Sequence, residues 1–229
     1  MTTTVISHLD IPVQLYISGA PEALLIQPLE RKEVATADHV AALIARHANR
    51  PFAMAVFRVD DWHLQMSPWH DDAISRREDV GLHAGETLGF ITNQLVPALR
   101  NQFGDLPVIL GGYSLAALFA LWASTQTTAV EGIAAASPSV WIRQWQQFAC
   151  SHPTRAKVVY LSIGRKEEQV RNVSMARVGD NIRATHRLLD EQLGANTTME
   201  WNDGGHFVEM DTRTARAFAW VLKRLYEQQ

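Results

Sequence analysis

The stretch Gly-Gly-Tyr-Ser-Leu-Ala-Ala, residues 111–117, decides the fold. It joins a short apolar run of β-type residues, 108–111, to a longer apolar run of helical character, 115–124. At its centre stands Ser114, with a glycine and an alanine two positions away on either side. A tight strand-to-helix turn needs small residues at both flanks, because larger side chains would collide with the neighbouring strand or helix. The stretch therefore predicts a strained turn that exposes the Ser114 hydroxyl at the end of a strand.

A serine in this position has two interpretations. It can be an ordinary helix N-cap in a strand-turn-helix connection. It can also be a nucleophile, in which case the N–H of Leu115 opens the helix and is free to stabilise a developing oxyanion. The place of the turn in the chain and the residues downstream of it favour the nucleophile.

A candidate base for this serine is His206, in the segment Asn-Asp-Gly-Gly-His-Phe, residues 202–207. The segment lies between the last predicted strand and the last predicted helix. A histidine on a glycine-rich loop there can reach over the end of the sheet. A serine hydroxyl is a poor nucleophile until a base removes its proton, and neutral imidazole suits that task near pH 7. The other eight histidines are better interpreted as residues without a catalytic role.

A candidate acid lies in Leu-Ser-Ile-Gly-Arg-Lys-Glu-Glu, residues 161–168, which closes the strand before that histidine. A carboxylate here could fix the imidazole tautomer and stabilise the imidazolium ion. The chain order serine, acid, histidine is that of one large class of hydrolases. Glu167 and Glu168 both qualify, and at least one of them is expected to be surface charge beside Arg165 and Lys166.

The rest of the chain alternates between short β-type runs and longer stretches of helical periodicity. The predicted strands span residues 11–18, 23–28, 52–59, 108–111, 132–136, 157–163 and 197–202. The predicted helices carry their apolar faces within residues 40–47, 88–99, 115–124, 141–150, 175–189 and 218–225. Pro97 should kink or loosen its helix near Asn93, and Gly194 should cap another helix. The alternation predicts one α/β domain over residues 1–229, with a mostly parallel central sheet and helices on both faces.

Two polar segments follow the predicted strand 52–59: Asp-Asp-Trp-His at 60–63 and Trp-His-Asp-Asp at 69–72. Histidines and carboxylates clustered in this way can bind a metal, but neither helical ligand spacing nor a cysteine partner is present. We favour a substrate pocket lined by Trp62 and Trp69, together with Tyr113 beside the serine. No metal and no cofactor is predicted.

The composition excludes several other classes of protein. The 229 residues carry a formal net charge of −3, so the chain lacks the basic surplus of a general nucleic-acid binder. The N-terminus has no basic residue before an apolar run, and no apolar run is long enough to span a bilayer. Cys150 is the one cysteine, so no intrachain disulfide can form. We expect a cytoplasmic protein with a small-molecule partner and neither nucleic-acid nor membrane partners. The oligomeric state is not predicted.

Four segments resemble the esterase branch of the α/β-hydrolase superfamily, which includes enterochelin-esterase-like and esterase-D-like proteins. They are Gly-Tyr-Ser-Leu-Ala at 112–116, Ser-Pro-Ser-Val-Trp at 137–141, the acidic segment at 161–168, and Gly-Gly-His-Phe at 204–207. A helix with Arg213 and Trp220 follows, as it does in such proteins. The resemblance extends from about residue 23 to the end of the chain, and small bacterial members of unassigned function share the segment around residues 61–69.

The resemblance implies an α/β-hydrolase fold and hydrolysis of a carboxylic ester through an acyl-enzyme. It assigns the nucleophile to Ser114 and the base to His206. It assigns the acid to Glu167, because the acid of such hydrolases commonly stands three positions after a glycine like Gly164. We expect the strand to break at Gly164 because glycine accepts unusual backbone angles.

The remaining expectations concern the oxyanion hole and the substrate. One donor should be the N–H of Leu115. The second should follow the strand 23–28, and because Pro28 has no N–H, Leu29 is the candidate. The substrate should be a small ester or thioester, since the extra N-terminal domain of some siderophore esterases is absent. Two alternatives stay open: an acyltransferase that uses the same triad, and a catalytically silent hydrolase fold that serves as a binding protein.

Overall fold

A computed structural model describes residues 1–227, which contain one eight-stranded sheet. The strands are Thr2–Ile6 (β1), Val13–Ser18 (β2), Ala23–Glu30 (β3), Phe52–Val59 (β4), Val108–Tyr113 (β5), Gly132–Ala136 (β6), Val158–Gly164 (β7) and Thr197–Asn202 (β8). Their order across the sheet is β1-β2-β4-β3-β5-β6-β7-β8. Strands β3 to β8 are parallel to one another, whereas β2 runs antiparallel to both of its neighbours, β1 and β4. The predicted mostly parallel sheet is confirmed.

The helices cover both faces of this sheet, as predicted. They are Ala37–Ala48 (α1), Trp62–Met66 (α2), Ala84–Phe90 (α3), Val96–Phe103 (α4), Leu115–Gln126 (α5), Arg143–Ser151 (α6), Val173–Ala176 (α7), Val178–Leu193 (α8) and Met210–Tyr226 (α9). One buried apolar layer is formed with α1 and α9, and the other with α2 to α6 and α8. No helix within residues 1–227 combines the length and the apolar character that crossing a bilayer requires.

Strand β3 illustrates why the sheet is buried on both sides. Its successive side chains enter opposite layers, so that Leu24 and Ile26 join one cluster while Leu25 joins the other. A strand buried on both faces needs a continuous apolar run rather than an alternating pattern. The sequence has such runs in β3 to β7, and for this reason their positions were predictable.

The predicted boundaries were wrong at the antiparallel edge. Strand β1 was not predicted, and β2 begins at Val13 rather than at residue 11. Four of the five residues of β1 are exposed, because it pairs on one side only and packs little of its surface against the core. Its threonine-rich sequence fits a strand but carries no apolar pattern to reveal one.

The predicted effect of Pro97 is confirmed. A π-helical turn, Ile91–Leu95, separates α3 from α4 and has Asn93 at its centre. The N–H of Val96 donates to the carbonyl of Ile91, five residues back, which is the π-type pattern. Pro97 cannot donate a backbone hydrogen bond, so the preceding turn is free to widen. Gly194 ends α8 with a φ of 54°, which confirms the predicted cap.

Candidate active site

Ser114 lies at the turn between β5 and α5, at the carboxyl edge of the sheet. Its backbone has φ 57° and ψ −114°, a conformation that L-residues rarely adopt and that costs free energy. Two backbone hydrogen bonds join it to the segment at the end of β6. Its N–H donates to the carbonyl of Ala136 (3.1 Å), and its carbonyl accepts from the N–H of Ser139 (3.1 Å). The loop after β6 therefore fixes the strained serine.

The small residues around Ser114 are required by close contacts. A Cβ placed on Gly112 would lie 2.8 Å from the Cβ of Ala116, one turn into α5. A Cβ on Gly111 would lie 2.5 Å from the carbonyl oxygen of Ala134 on the neighbouring strand. Both distances are shorter than carbon atoms tolerate, so strand and helix can approach this closely only with glycine at these positions. This is the collision that the spacing in the sequence predicted.

The structure brings Ser114, His206 and Glu167 together in one line of hydrogen bonds. The Ser114 Oγ lies 2.9 Å from His206 Nε2, and His206 Nδ1 lies 2.7 Å from Glu167 Oε2. The His206 side chain is 27% exposed, whereas that of Glu167 is only 4% exposed. With the Nδ1 proton directed at the carboxylate, the Nε2 lone pair faces the serine hydroxyl. The arrangement can therefore move a proton from Ser114 to His206.

The Glu167 carboxylate is buried, but it accepts several hydrogen bonds. Its Oε1 accepts from the N–H of Gly164 (2.7 Å) and from the Ser137 hydroxyl (2.9 Å), while Oε2 faces His206. Burial raises the pKa of this carboxyl, but the hydrogen bond and charge of His206, with the donors Gly164 and Ser137, outweigh burial and hold the pKa below its usual value. Glu167 is therefore suited to remain an ionised partner of His206.

Gly164 has a different role from the one predicted. It is the last residue of β7, and its φ is not among the positive values that favour glycine. A Cβ at this position would lie 2.6 Å from the carbonyl oxygen of Gly204 and 3.0 Å from both Glu167 Oε1 and Arg213 Nη1. The expectation of unusual backbone angles was wrong. Glycine is needed because the two loops that carry the acid and the base pack directly against it.

Arg213, on α9, has the largest fully buried side chain among the described residues. Its Nη1 lies 3.2 Å from Glu167 Oε1, 3.1 Å from the Tyr113 hydroxyl and 3.2 Å from the carbonyl oxygen of Gly205. Its Nη2 donates to the carbonyl of Asp203 (2.5 Å). Sequence reasoning noted Arg213 only as part of a resemblance, because nothing in the local sequence indicates that an arginine 46 residues away pairs with Glu167.

Tyr113 does not lie where the sequence analysis placed it. Its side chain is buried, and its hydroxyl donates to the backbone carbonyl of His206 (2.6 Å). Burial raises the pKa of this phenol, so the hydroxyl remains a donor. The predicted place of Tyr113 in a substrate pocket does not fit this burial, because the side chain supports the histidine loop from the protein interior.

The second glutamate, Glu168, lies outside the hydrogen-bonded line. It pairs with Arg183 on α8, at 3.0 Å. Asp203, the other carboxylate near the histidine in sequence, is fully exposed and lies 3.7 Å from Arg165. Of the nearby carboxylates, the structure thus places Glu167 against His206.

Two serines that sequence reasoning did not single out complete the site. Ser137 donates to Glu167, and the Ser139 Oγ lies 3.2 Å from the Ser114 Oγ. Ser137 also has a positive φ of 43°, so a second strained turn stands beside the first. The signal that could have found them is Ser-Pro-Ser at 137–139, which was noted for its resemblance but given no role.

The two backbone N–H groups predicted as oxyanion donors lie in different settings. Leu115 is the first residue of α5, so its N–H has no carbonyl partner within the helix. Leu29, in contrast, lies inside β3, which continues to Glu30. The N–H of Leu24 donates to the residue before β5, and backbone groups alternate along a strand, so the N–H of Leu29 faces β4. Leu29 is therefore placed wrongly to donate towards Ser114.

The two tryptophans after β4 lie in different settings. Trp69 packs edge-on against Phe148 at 5.0 Å and lies 6.3 Å from Trp145, both on α6. Trp62 begins α2 and is partly buried against the same apolar layer.

Within residues 1–227, no group of three or more His, Cys, Asp or Glu side chains is arranged to hold a metal ion.

The fold of the chain is similar to that of several known proteins. The sequence matches no protein-family model and no curated protein. Solved structures do match. A siderophore hydrolase from Aspergillus nidulans aligns with a TM-score of 0.69 at 17% identity, over 98% of this chain and 94% of that one. An IroE-like serine hydrolase from Shewanella oneidensis aligns with a TM-score of 0.73 at 13% identity, over 99% and 80%.

An enterobactin esterase from Shigella flexneri aligns with a TM-score of 0.69 at 13% identity. All of this chain is covered, but only 60% of the Shigella protein. These alignments, each over nearly the whole of this chain, confirm the fold that the sequence predicted. The protein has the α/β-hydrolase fold.

Proposed function

We propose that the protein is a serine hydrolase that cleaves a small carboxylic ester or thioester through an acyl-enzyme. The observation that carries the proposal is the line of hydrogen bonds from Ser114 through His206 to Glu167, built on a serine with a strained backbone. An ordinary helix N-cap would need neither the positive φ nor a histidine at the hydroxyl.

In the proposed reaction, the Ser114 Oγ forms a bond to the ester carbonyl carbon while its proton passes to His206 Nε2. The tetrahedral intermediate collapses, the bond to the leaving oxygen or sulfur breaks, and His206 returns the proton to the leaving group. Water then repeats both steps on the acyl-enzyme and releases the acid. Glu167 orients His206 and stabilises its cation in each half-reaction.

The N–H of Leu115 is the proposed first oxyanion donor. Strand β3 no longer pairs with β5 after Ile26. Because Pro28 has no N–H, the next backbone N–H that faces β5 belongs to Glu30. We take it as the candidate second donor. It now donates to the Glu33 carboxylate (3.3 Å), so a substrate oxyanion would replace that carboxylate.

A siderophore ester belongs among the candidate substrates. The Aspergillus protein described as a siderophore hydrolase is matched over 94% of its length. The identity of 17% is too low to infer the substrate of this protein from that match. A siderophore ester is therefore included as one substrate in the test panel.

The test uses a fluorophosphonate probe on the wild type and on Ser114→Ala. Labelling of the wild type alone supports an activated serine, and no labelling of either would favour the silent binding protein. A panel of esters and thioesters of graded acyl length, with one siderophore ester, then gives the substrate class. Adding an alcohol acceptor separates hydrolysis from acyl transfer, because a transferase yields a new ester in place of the free acid.

A further inference from the structure

The site contains a buried cation that the proposed reaction does not use. Glu167 is buried and must remain ionised while His206 is neutral, because only neutral imidazole can accept the Ser114 proton. A buried carboxylate that faces a neutral imidazole lacks a counter-charge and is costly. Such a pair relieves the cost by taking up a proton, which would remove the base. Something must therefore balance the Glu167 charge in the resting protein.

We propose that Arg213 is the positioning residue that balances the Glu167 charge and so keeps His206 unprotonated and ready to act as a base. Its guanidinium lies 3.2 Å from Oε1, while His206 lies 2.7 Å from Oε2. The carboxylate thus stands between two nitrogen partners, of which one is always charged and the other titrates. The kinetic part of this inference rests on the proposed function, whereas the charge balance does not.

The burial of both side chains supports an effect of the Arg213 charge on Glu167, because the Arg213 side chain has no exposed surface and Glu167 has almost none. Solvent screens such a pair far less than it screens a surface pair. Arg213 also opposes a second positive charge on His206, since both cations would share one carboxylate. Loss of the guanidinium charge should therefore make the Glu167–His206 pair hold its proton at higher pH.

The same side chain also fixes the loop that carries His206. Arg213 donates to the carbonyls of Asp203 and Gly205, on the residues just before the histidine. It also lies 3.1 Å from the Tyr113 hydroxyl, which donates to the carbonyl of His206 itself. A test must therefore separate loss of charge from loosening of this loop.

The other titratable groups around the pair are few. Tyr113 on β5 is protonated and uncharged. On the loops, Asp203 is exposed and pairs with Arg165, and Glu168 pairs with Arg183. None of these groups carries a buried charge against Glu167, so Arg213 is the one to remove.

The experiment follows the imidazole signals of His206 by NMR across pH in the wild type, Arg213→Gln and Arg213→Met, with His206→Gln to assign the signals. Both variants remove the charge, and glutamine retains a donor for the loop carbonyls. We expect the protonation midpoint of the pair to rise by about one pH unit or more in both. Tyr113→Phe is the matched control, because it loosens the same loop without changing charge, and its midpoint should stay near that of the wild type.

An unchanged midpoint in Arg213→Gln would overturn the inference, and so would an equal shift in Tyr113→Phe. Should both neutral variants fail to fold, Arg213→Lys is titrated instead, because it keeps the positive charge and loses the planar fork that contacts the loop. A midpoint equal to that of the wild type then supports the role of charge, and a midpoint that rises by about one pH unit or more overturns it.

A kinetic arm tests the consequence for catalysis. With the best ester of the panel, the rise of kcat/KM with pH should move to higher pH in Arg213→Gln by the same amount as the NMR midpoint. If the wild type neither hydrolyses esters nor reacts with the fluorophosphonate, the proposed function fails, while the NMR titration still tests the charge balance. If the wild type is active but the profile does not move, the inference about Arg213 fails alone.

Discussion

At the scale of single residues, the Ser114 hydroxyl has two hydrogen-bond partners of different kinds, His206 and Ser139. The Ser114 Oγ has one proton, and the hydrogen bond to His206 uses it. The Ser139 hydroxyl, at 3.2 Å, can then only donate to the Ser114 Oγ. Two neighbouring serines are therefore expected to differ sharply in their effect on turnover.

We predict that Ser114→Ala abolishes turnover, with a loss of kcat on the order of a millionfold, and leaves the fold intact. The matched variant Ser139→Ala removes a hydroxyl from the same pocket and should retain measurable turnover. The measurements are kcat on the best ester and the melting temperature of each protein. Equal turnover in Ser114→Ala and the wild type would refute the assignment of the nucleophile.

The two adjacent glutamates provide a second test. Glu167→Gln should lower kcat by about a thousandfold or more, because the amide can neither stabilise the imidazolium nor hold its tautomer. Glu168→Gln breaks only a half-exposed pair with Arg183, which is worth roughly 0–1 kcal/mol, and should leave kcat nearly unchanged. The opposite pattern of kcat values would move the acid to Glu168.

The sequence predicted the three residues that the structure brings together, but it did not predict the residues that support them, for a physical reason. Ser114 and His206 lie in short glycine-containing segments whose local geometry is part of their chemistry. Arg213 and Ser137 act on Glu167 from 46 and 30 residues away, and only the folded chain brings these residues together. The resemblance chose between Glu167 and Glu168, which the residues alone left open.

At the scale of elements, the contact between β5 and α5 depends on Gly112. We predict that Gly112→Ala destabilises the protein by about 1–3 kcal/mol, because its Cβ would lie 2.8 Å from that of Ala116. Gly85 on α3 is the matched control, since a Cβ there meets no atom within 4 Å. Gly85→Ala should stabilise α3 by about 0.5–1 kcal/mol. Urea unfolding measures both, and equal free energies of unfolding for the two variants would contradict the contact.

The two tryptophans after β4 are expected to have different roles, one in packing and the other in substrate specificity. Trp69 lies against α6, so Trp69→Ala should lower the melting temperature and leave the ranking of esters unchanged. Trp62, at the start of α2 beyond the carboxyl end of β4, remains the candidate for the substrate pocket, and Trp62→Ala should change that ranking. A changed ranking in Trp69→Ala alone would reverse the two roles.

Element boundaries were predictable where burial decided them. Strands β5 and β7 are buried along their whole lengths, and their continuous apolar runs predicted them. The exposed edge strand β1 has no such run, and β3 extends two residues past Pro28, to Glu30. That extension also misplaced the oxyanion donor, because a shift along a strand changes the direction in which each N–H points.

At the scale of the whole molecule, Glu167 links stability to pH. Its pKa is lower in the folded protein, so its ionised form stabilises the fold above the unfolded value of about 4.3. This contribution is lost as the pH falls through the folded pKa. We predict that the wild type loses more free energy of unfolding between about pH 5 and pH 3 than Glu167→Gln, which does not titrate there. Parallel curves of stability against pH would contradict this linkage.

The position of α9 has a consequence for how the protein folds. This helix supplies Arg213 and packs against α1, β5, β6 and β7, so it joins segments that lie far apart in the sequence. Contacts between distant segments cost loop entropy before they stabilise the chain, so we expect these contacts to form late in folding. A partly folded chain in which α9 has not docked lacks the arginine that contacts Glu167. The hydrogen-bonded line of Ser114, His206 and Glu167 should therefore be completed only when α9 docks.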